Sequence, residues 1–292
     1  MSSYTKWGVG VIGVLLLAGT GFFFLHEKGA PSDAVSSPPL VEEQKGPTHE
    51  IIGHSVEGRA IDAYTYGKGT KNLLFAGGMH GGYEWNSVVL AYMFMDYLDA
   101  HADVIPAGVS VTIIPSLNPD GVYKIIGKEG RFSIGDVPNS SDESAGRFNA
   151  HAVDLNRNFD CHWQPKSTWR DQTVSAGDAA FSEPESKALR NFVQQHTPAA
   201  AVFWHSQANA VYASECDHGI LPHTLTIMDA YANAAGYPAV KSFDSYKVTG
   251  DSEGWLASID IPAITVEMKT HDTVEWEKNL AGFKALLRLY AE

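Results

Sequence analysis

The apolar positions of this chain fall into distinct rhythms. The first is an unbroken stretch, WGVGVIGVLLLAGTGFFFL, from Trp7 to Leu25, with no charged residue. As a helix it spans about 28 Å, close to the hydrocarbon thickness of a bilayer. A cleaved signal peptide usually has a shorter apolar stretch and ends at a small-x-small site. Leu25-His26-Glu27-Lys28 offers no such site, and no cysteine lies nearby for lipidation. The pattern therefore predicts an anchor at 1–29 with its membrane span at about 7–25. Lys6 precedes the span and the mixed pair Glu27/Lys28 follows it. That charge bias places the N-terminus in the cytoplasm and the remainder outside. The expected location is a single-pass cell-membrane protein with an extracytoplasmic domain, secreted if the leader is cleaved. Residues 30–47, APSDAVSSPPLVEEQKGP, have little to bury and read as a flexible linker.

From Thr48 onward short apolar runs alternate with helical spacings, and 48–292 is read as one domain. Stretches 50–54 and 60–66 predict a hairpin around Glu57-Gly58. Runs 72–76, 109–115, 199–204 and 263–266 predict buried strands. Periods near 3.6 predict helices at 84–98, 183–194, 221–235 and 274–290. Asn118-Pro119-Asp120-Gly121 reads as a turn, and 122–160 as a long polar loop of the kind that carries function. The order implies an α/β three-layer sandwich whose mixed central sheet is flanked by helices. In such sheets ligands collect beyond the carboxyl ends of the strands. His80, Ser116, His205 and Glu267 all fall at or just past such ends.

Composition narrows the function classes. The 292 residues are 44% hydrophobic and 11% aromatic, as in a globular protein with an ordinary core. A formal net charge of -13 excludes a nucleic-acid surface, which needs a basic face. Two cysteines, Cys161 and Cys216, are too few for a disulfide framework or a thiolate zinc site. They suffice for one bridge in an oxidising compartment.

The candidate chemistry begins with His80-Gly-Gly-Tyr-Glu84. A histidine and a carboxylate at this spacing can face one side, and hydrolytic zinc takes three N/O ligands and one open position. Taken alone, the pair equally describes a capping Glu beside a surface His. Asp154-Leu-Asn156-Arg157-Asn158-Phe159-Asp160 gathers polar groups after the long loop. There Arg is a natural fork for a carboxylate, and the alternative is a salt-bridged turn. Arg147 offers a second cation. His205 ends the apolar run AAVFW, where a lone His is often structural. Glu267 interrupts the apolar AITV stretch, where a carboxylate is costly unless paired or functional.

Together, and in this order, these pieces resemble the zinc metallocarboxypeptidases of the carboxypeptidase A/B and D/E superfamily. The resemblance covers essentially all of 48–292. It is strongest in GRFNAHAVDLNRNFD, where an Arg precedes the DLNRNF motif by the family interval. It implies one zinc ion per chain, held by His80, Glu84 and His205, with Asp154 orienting His80. It further implies that Asn156 and Arg157 hold the substrate's C-terminal carboxylate, that Arg147 stabilises the oxyanion, and that Glu267 is the general base. Tyr246 resembles the mobile tyrosine that closes over the substrate. The segment Asp251, Ser252, Glu253 corresponds to the wall of the side-chain pocket. One departure stands out: the family spacing is His-x-x-Glu, whereas here it is His-x-x-x-Glu, with Tyr83 where the glutamate would be. Cys161 and Cys216 both follow segments expected to border the site. They would either bridge the carboxylate-binding loop to the His205 strand or remain two small buried thiols.

The expected activity is hydrolysis of the C-terminal residue of a peptide by a zinc-activated water with a Glu base. Acidic groups at 251 and 253 suit a basic residue or the amine of diaminopimelate. The alternative enzyme is therefore a murein-peptide (γ-D-glutamyl-diaminopimelate) amidase or carboxypeptidase acting on cell-wall peptides. The non-enzymatic alternative is an inactive peptide-binding module. The expected partners are a peptide or muropeptide with a free C-terminal carboxylate and, through the N-terminal helix, the membrane, with a monomeric catalytic domain.

Overall fold

Successive apolar side chains need cover on both faces of a sheet, and this requirement sets the order of layers. The computed structural model describes residues 46–139 and 143–292. The anchor expected at 1–29, and the linker as far as residue 45, lie outside those residues. Among the described residues no helix is long and apolar enough to cross a membrane.

In chain order the strands are β1 (Thr48–His54), β2 (Ala60–Gly67), β3 (Lys71–Ala76), β4 (Val109–Ile114), β5 (Lys166–Trp169), β6 (Gln172–Ser175), β7 (Ala200–Ser206), β8 (Ala210–Ala213), β9 (Ala239–Val240) and β10 (Ala263–Met268). Eight of them form one sheet in the order β1-β2-β4-β3-β7-β10-β8-β9, and β5 and β6 make a separate hairpin. The strands β4, β3, β7 and β10 are mutually parallel, while β1, β2 and β8 pair antiparallel, so the sheet is mixed. Every residue of β4 and β7 is buried.

Helices α1 (Trp85–Ala100), α4 (Pro222–Ala235) and α6 (Trp276–Ala291) share one core with Leu73, Phe75, Val202 and Trp204. The alternate residues Leu74, Ala76, Ala201 and Phe203 face the core of α3 (Pro184–His196) and α5 (Ser252–Ser258). The period of two thus sorts neighbouring residues into two cores. On the first face Phe94 stacks on Trp204 at 4.9 Å, and the Trp204 indole N–H donates to Tyr231.

The predicted hairpin, buried strands and long helices all form, with ends shifted by a few residues. Asn118-Pro-Asp-Gly is not a turn but the start of α2 (Pro119–Ile126). The Asn118 carboxamide accepts the Gly121 N–H at 2.9 Å and Pro119 fills the first helical position, the signature of a helix start. The expected loop 122–160 accordingly begins inside a helix. The helix α5, opened by the Asp251 carboxylate accepting the Gly254 N–H, and the short strands β5, β6, β8 and β9 are further elements beyond those the pattern predicts.

Candidate active site

The parallel strands β3, β7 and β10 deliver their carboxyl ends to one edge of the sheet, and the site is built there. His80 follows β3 at the head of a 3-10 turn, Gly81–Glu84, in which the His80 carbonyl accepts the Tyr83 N–H at 3.1 Å. This turn absorbs the residue that lengthens the His-to-Glu spacing. Gly81 adopts φ +49°, and a Cβ there would lie 2.6 Å from the Gly146 carbonyl. Tyr83 forms part of the cavity wall, its ring edge-on to Trp169 and its hydroxyl accepting from Arg170 at 2.9 Å. Glu84 turns toward His80.

His80 Nδ1 lies 2.7 Å from Glu84 Oε1, His205 Nδ1 lies 2.9 Å from Glu84 Oε2, and the two Nδ1 atoms are 3.2 Å apart. All three residues are buried. Donors bonded to a tetrahedral zinc at 2.0–2.1 Å sit about 3.3 Å from one another. The three side chains fit a single ion of that kind, because their donor atoms already converge on one another. Burial pushes the Glu84 carboxyl up, but His80 and His205 outweigh it and hold it well below the usual range.

Behind each imidazole stands a carboxylate. Asp154 Oδ1 lies 3.4 Å from His80 Nε2, while Oδ2 accepts from Arg147 Nε at 2.9 Å and Nη2 at 2.8 Å. Arg147 is buried, lies over the Trp169 ring at 4.5 Å, and keeps Nη1 3.8 Å from Glu84 Oε1. Glu253 Oε1 lies 3.5 Å from His205 Nε2.

In front of the triad opens a cavity of about 610 Å³, lined by His80, Glu84, His205, Arg147, Asn156, Arg157, Tyr246, Asp251, Glu253 and Glu267 among others. Glu267 pairs in register with His205 across β10 and β7, so both side chains emerge on one face of the sheet. Its carboxylate accepts the Ala208 N–H at 3.1 Å. Burial, and after it the charge of Glu84, pushes its pKa up to about 7.

Among the described residues no carboxylate pairs with Arg157. Its guanidinium donates to the Asn156 carbonyl at 2.5 Å and to the Thr168 carbonyl at 3.2 and 3.0 Å. The Asn156 side-chain oxygen accepts the Ser252 N–H at 2.8 Å and, at 3.0 Å from the Ser252 hydroxyl, shares that group's one proton with Glu253, which leaves its amide nitrogen to offer the cavity. Tyr246 is half-buried at the mouth, its ring 4.9 Å from Phe243. Cys161 and Cys216 are bonded to each other in the cavity wall, with Cα atoms 6.1 Å apart.

The segment 251–253 departs from its expected joint role as pocket wall. Ser252 does not line the cavity, because both of its polar groups are engaged by Asn156 and Glu253. Glu253 lines it but is only 3% exposed, accepting from Ser252 and Thr265 and facing His205. Asp251 is the acid left for a substrate. Burial and the neighbouring Glu253 charge raise its pKa to about 6, despite the Gly254 N–H it accepts. Sequence reasoning missed Thr265, Trp169 and Arg170. Thr265 was open to detection, since it shares the inward face with Glu267 two residues on.

Comparison with known proteins completes the picture. The family model described as zinc carboxypeptidase matches residues 42–281. The γ-D-glutamyl-L-diamino acid endopeptidase 1 of Lysinibacillus sphaericus is 25% identical over 74% of this chain and 59% of its own length. Murein peptide amidase A of Escherichia coli K12 is 31% identical over 49% of this chain and 60% of that protein. The chain thus spans about three-fifths of the length of these relatives. Among solved structures, murein-tripeptide amidase from Escherichia coli O157 superposes with TM-score 0.61 at 23% identity, covering 86% of this chain and 96% of that one. Thrombin-activatable fibrinolysis inhibitor gives TM-score 0.66 at 18% identity, over 85% and 68%.

Proposed function

This chain belongs to the zinc carboxypeptidase family, and on that premise we propose that it hydrolyses the amide bond next to a free C-terminal carboxylate of a peptide. One observation carries the reading: the convergent donors of His80, Glu84 and His205 share a cavity with the half-buried Glu267 and with Arg147, Arg157 and Arg170.

His80, Glu84 and His205 would hold a zinc ion, and the chemistry it would supply is Lewis acidity toward a water and a carbonyl. The protein's own groups do the rest. Arg157, fixed by backbone carbonyls and without a carboxylate partner among the described residues, receives the substrate's terminal carboxylate together with the Asn156 amide. That grip places the scissile carbonyl before Glu267, which takes a proton from the attacking water and returns it to the leaving amine. Arg147 is held rigid by Asp154 and stabilises the oxygen on which negative charge develops. Tyr246 closes the mouth of the cavity over the bound residue.

A second reading, hydrolysis of a murein peptide next to diaminopimelate, is favoured by Asp251 in the cavity wall. A carboxylate there suits an amine on the departing residue. Two relatives named for murein or γ-D-glutamyl-diamino acid substrates support it too. An outward-facing location, expected from the apolar run at 7–25, suits both substrates.

The test is mass spectrometry of a peptide pool, including muropeptides, incubated with the purified protein with and without a chelator. Loss of single C-terminal residues that chelation abolishes supports the first reading. Release confined to diaminopimelate-containing ends supports the second. No cleavage by protein that carries zinc sinks both.

A further inference from the structure

Glu253 is a charged group that the proposed chemistry leaves without a task. It sits in the first turn of α5, which the Asp251 cap anchors, and is 3% exposed. Its oxygens are held in place, Oε2 by the Ser252 hydroxyl at 2.9 Å and Oε1 by the Thr265 hydroxyl at 2.9 Å. A carboxylate clamped in this way is not poised to swing toward a substrate. What it faces is His205. Because Nδ1 of that imidazole turns toward Glu84 and His80, Nε2 points back into the protein, where it is buried and lacks a hydrogen-bond partner among the described residues. Glu253 Oε1 stands 3.5 Å away. A small rotation of the ring brings the pair within hydrogen-bond reach.

We propose that Glu253 is a positioning residue of the metal site, whose carboxylate accepts the Nε2–H of His205 and so presents Nδ1, unprotonated, to the ion. The inference rests on the reading of His205 as a ligand. A neutral imidazole carries one proton on one of two nitrogens, and an acceptor behind the ring decides which. A carboxylate there also raises the basicity of the ligating nitrogen. Asp154 stands to His80 as Glu253 stands to His205, at 3.4 and 3.5 Å. The difference is that Glu253 also forms part of the cavity wall, so the side-chain pocket and the metal ligand share a residue.

The experiment measures zinc affinity of the full-length protein by competition with a chromophoric chelator, for wild type, Glu253→Gln, Glu253→Ala and His205→Ala. The Gln variant should bind zinc about 10-fold more weakly and the Ala variant up to about 100-fold more weakly. The visible spectrum of the cobalt-loaded protein should shift in both variants. Unchanged zinc affinity and spectrum with a raised KM would make Glu253 a substrate-pocket acid and overturn the proposal. If wild type binds zinc no better than His205→Ala, the ligand reading itself fails. Should the Glu253 variants not fold, Thr265→Val frees Oε1 and should still weaken zinc several-fold. Wild-type affinity in that variant counts against the proposal.

Discussion

The Cys161–Cys216 bridge can be removed without touching any group proposed for the chemistry, which makes it the sharpest probe of how the cavity is held. It closes a loop of 55 residues that runs from the segment after Asn156 and Arg157, across β7, to the loop after β8. On the chain-entropy account, opening a loop of that length costs about 4 kcal/mol at 25 °C. For a domain of this size the melting temperature should fall by roughly 8–16 °C. The perturbation is Cys161→Ala with Cys216→Ala, and the assay is urea unfolding of both proteins at matched pH and zinc. The kinetic consequence follows from where the bridge attaches. His80, Glu84, His205 and Glu267 are carried by β7, β10 and the turn after β3, none of which contains a bridged cysteine. Arg157 and Asn156 sit on a segment whose next turn it does join. KM should rise several-fold while kcat stays within about threefold, since lost positioning of a bound carboxylate weakens binding before it slows the chemistry. A stability difference below about 1 kcal/mol would refute the entropic account. A fall in kcat at unchanged KM would refute the division between sheet-borne chemistry and loop-borne binding.

The remaining predictions concern single side chains. Glu267→Gln should retain zinc, measured by metal analysis, while turnover drops at least about 100-fold; near-wild-type turnover would remove the glutamate from its role as base. The same variant should stabilise the metal-free protein above neutral pH. Glu267 folds with a raised pKa, so the wild type loses stability as pH climbs from the unfolded value near 4 through about 7, and glutamine does not titrate. Unfolding midpoints at pH 5 and pH 8 check this. Turnover of the zinc-loaded enzyme should fall on the acid side with a midpoint below about 7, because the ion offsets the Glu84 charge that helps raise Glu267. A pH profile of kcat/KM locates that limb. Arg157→Met should raise KM and erase the preference for a free over an amidated C-terminus, which paired substrates measure directly.

Much of this was legible because it rests on periodicity. The runs around Leu74, Thr112 and Phe203 read as buried strands by their length and flanking turns, and their order implied a layered fold with a ligand edge at His205 and Glu267. The chemical identity of the edge came from the resemblance carried by GRFNAHAVDLNRNFD together with His205 and Glu267, since a histidine closing an apolar run is by itself often structural. What stayed hidden depended on three-dimensional partners. Asn118-Pro-Asp-Gly satisfies the rules for a turn and for a helix start alike. Only the residues behind it, which pack as α2, decide between them. Asp251, Ser252 and Glu253 look interchangeable as neighbours, yet α5 sends their side chains to a helix cap, to Asn156 and to His205 in turn. No pattern in the chain announces Trp169 and Arg170, which act through a hairpin too short to show a period.

The register of β10 on β7 has a mechanical meaning. Glu267 and His205 occupy facing positions on adjacent parallel strands, tied by the hydrogen-bonded ladder between them. Neither can slide relative to the other without breaking several backbone bonds at once. The distance between the proposed base and the proposed ligand is therefore set by the strand spacing of about 4.8 Å rather than by any loop. Motions that admit the substrate and let the product leave can run through Tyr246 and the outer segments while the reacting geometry stays still.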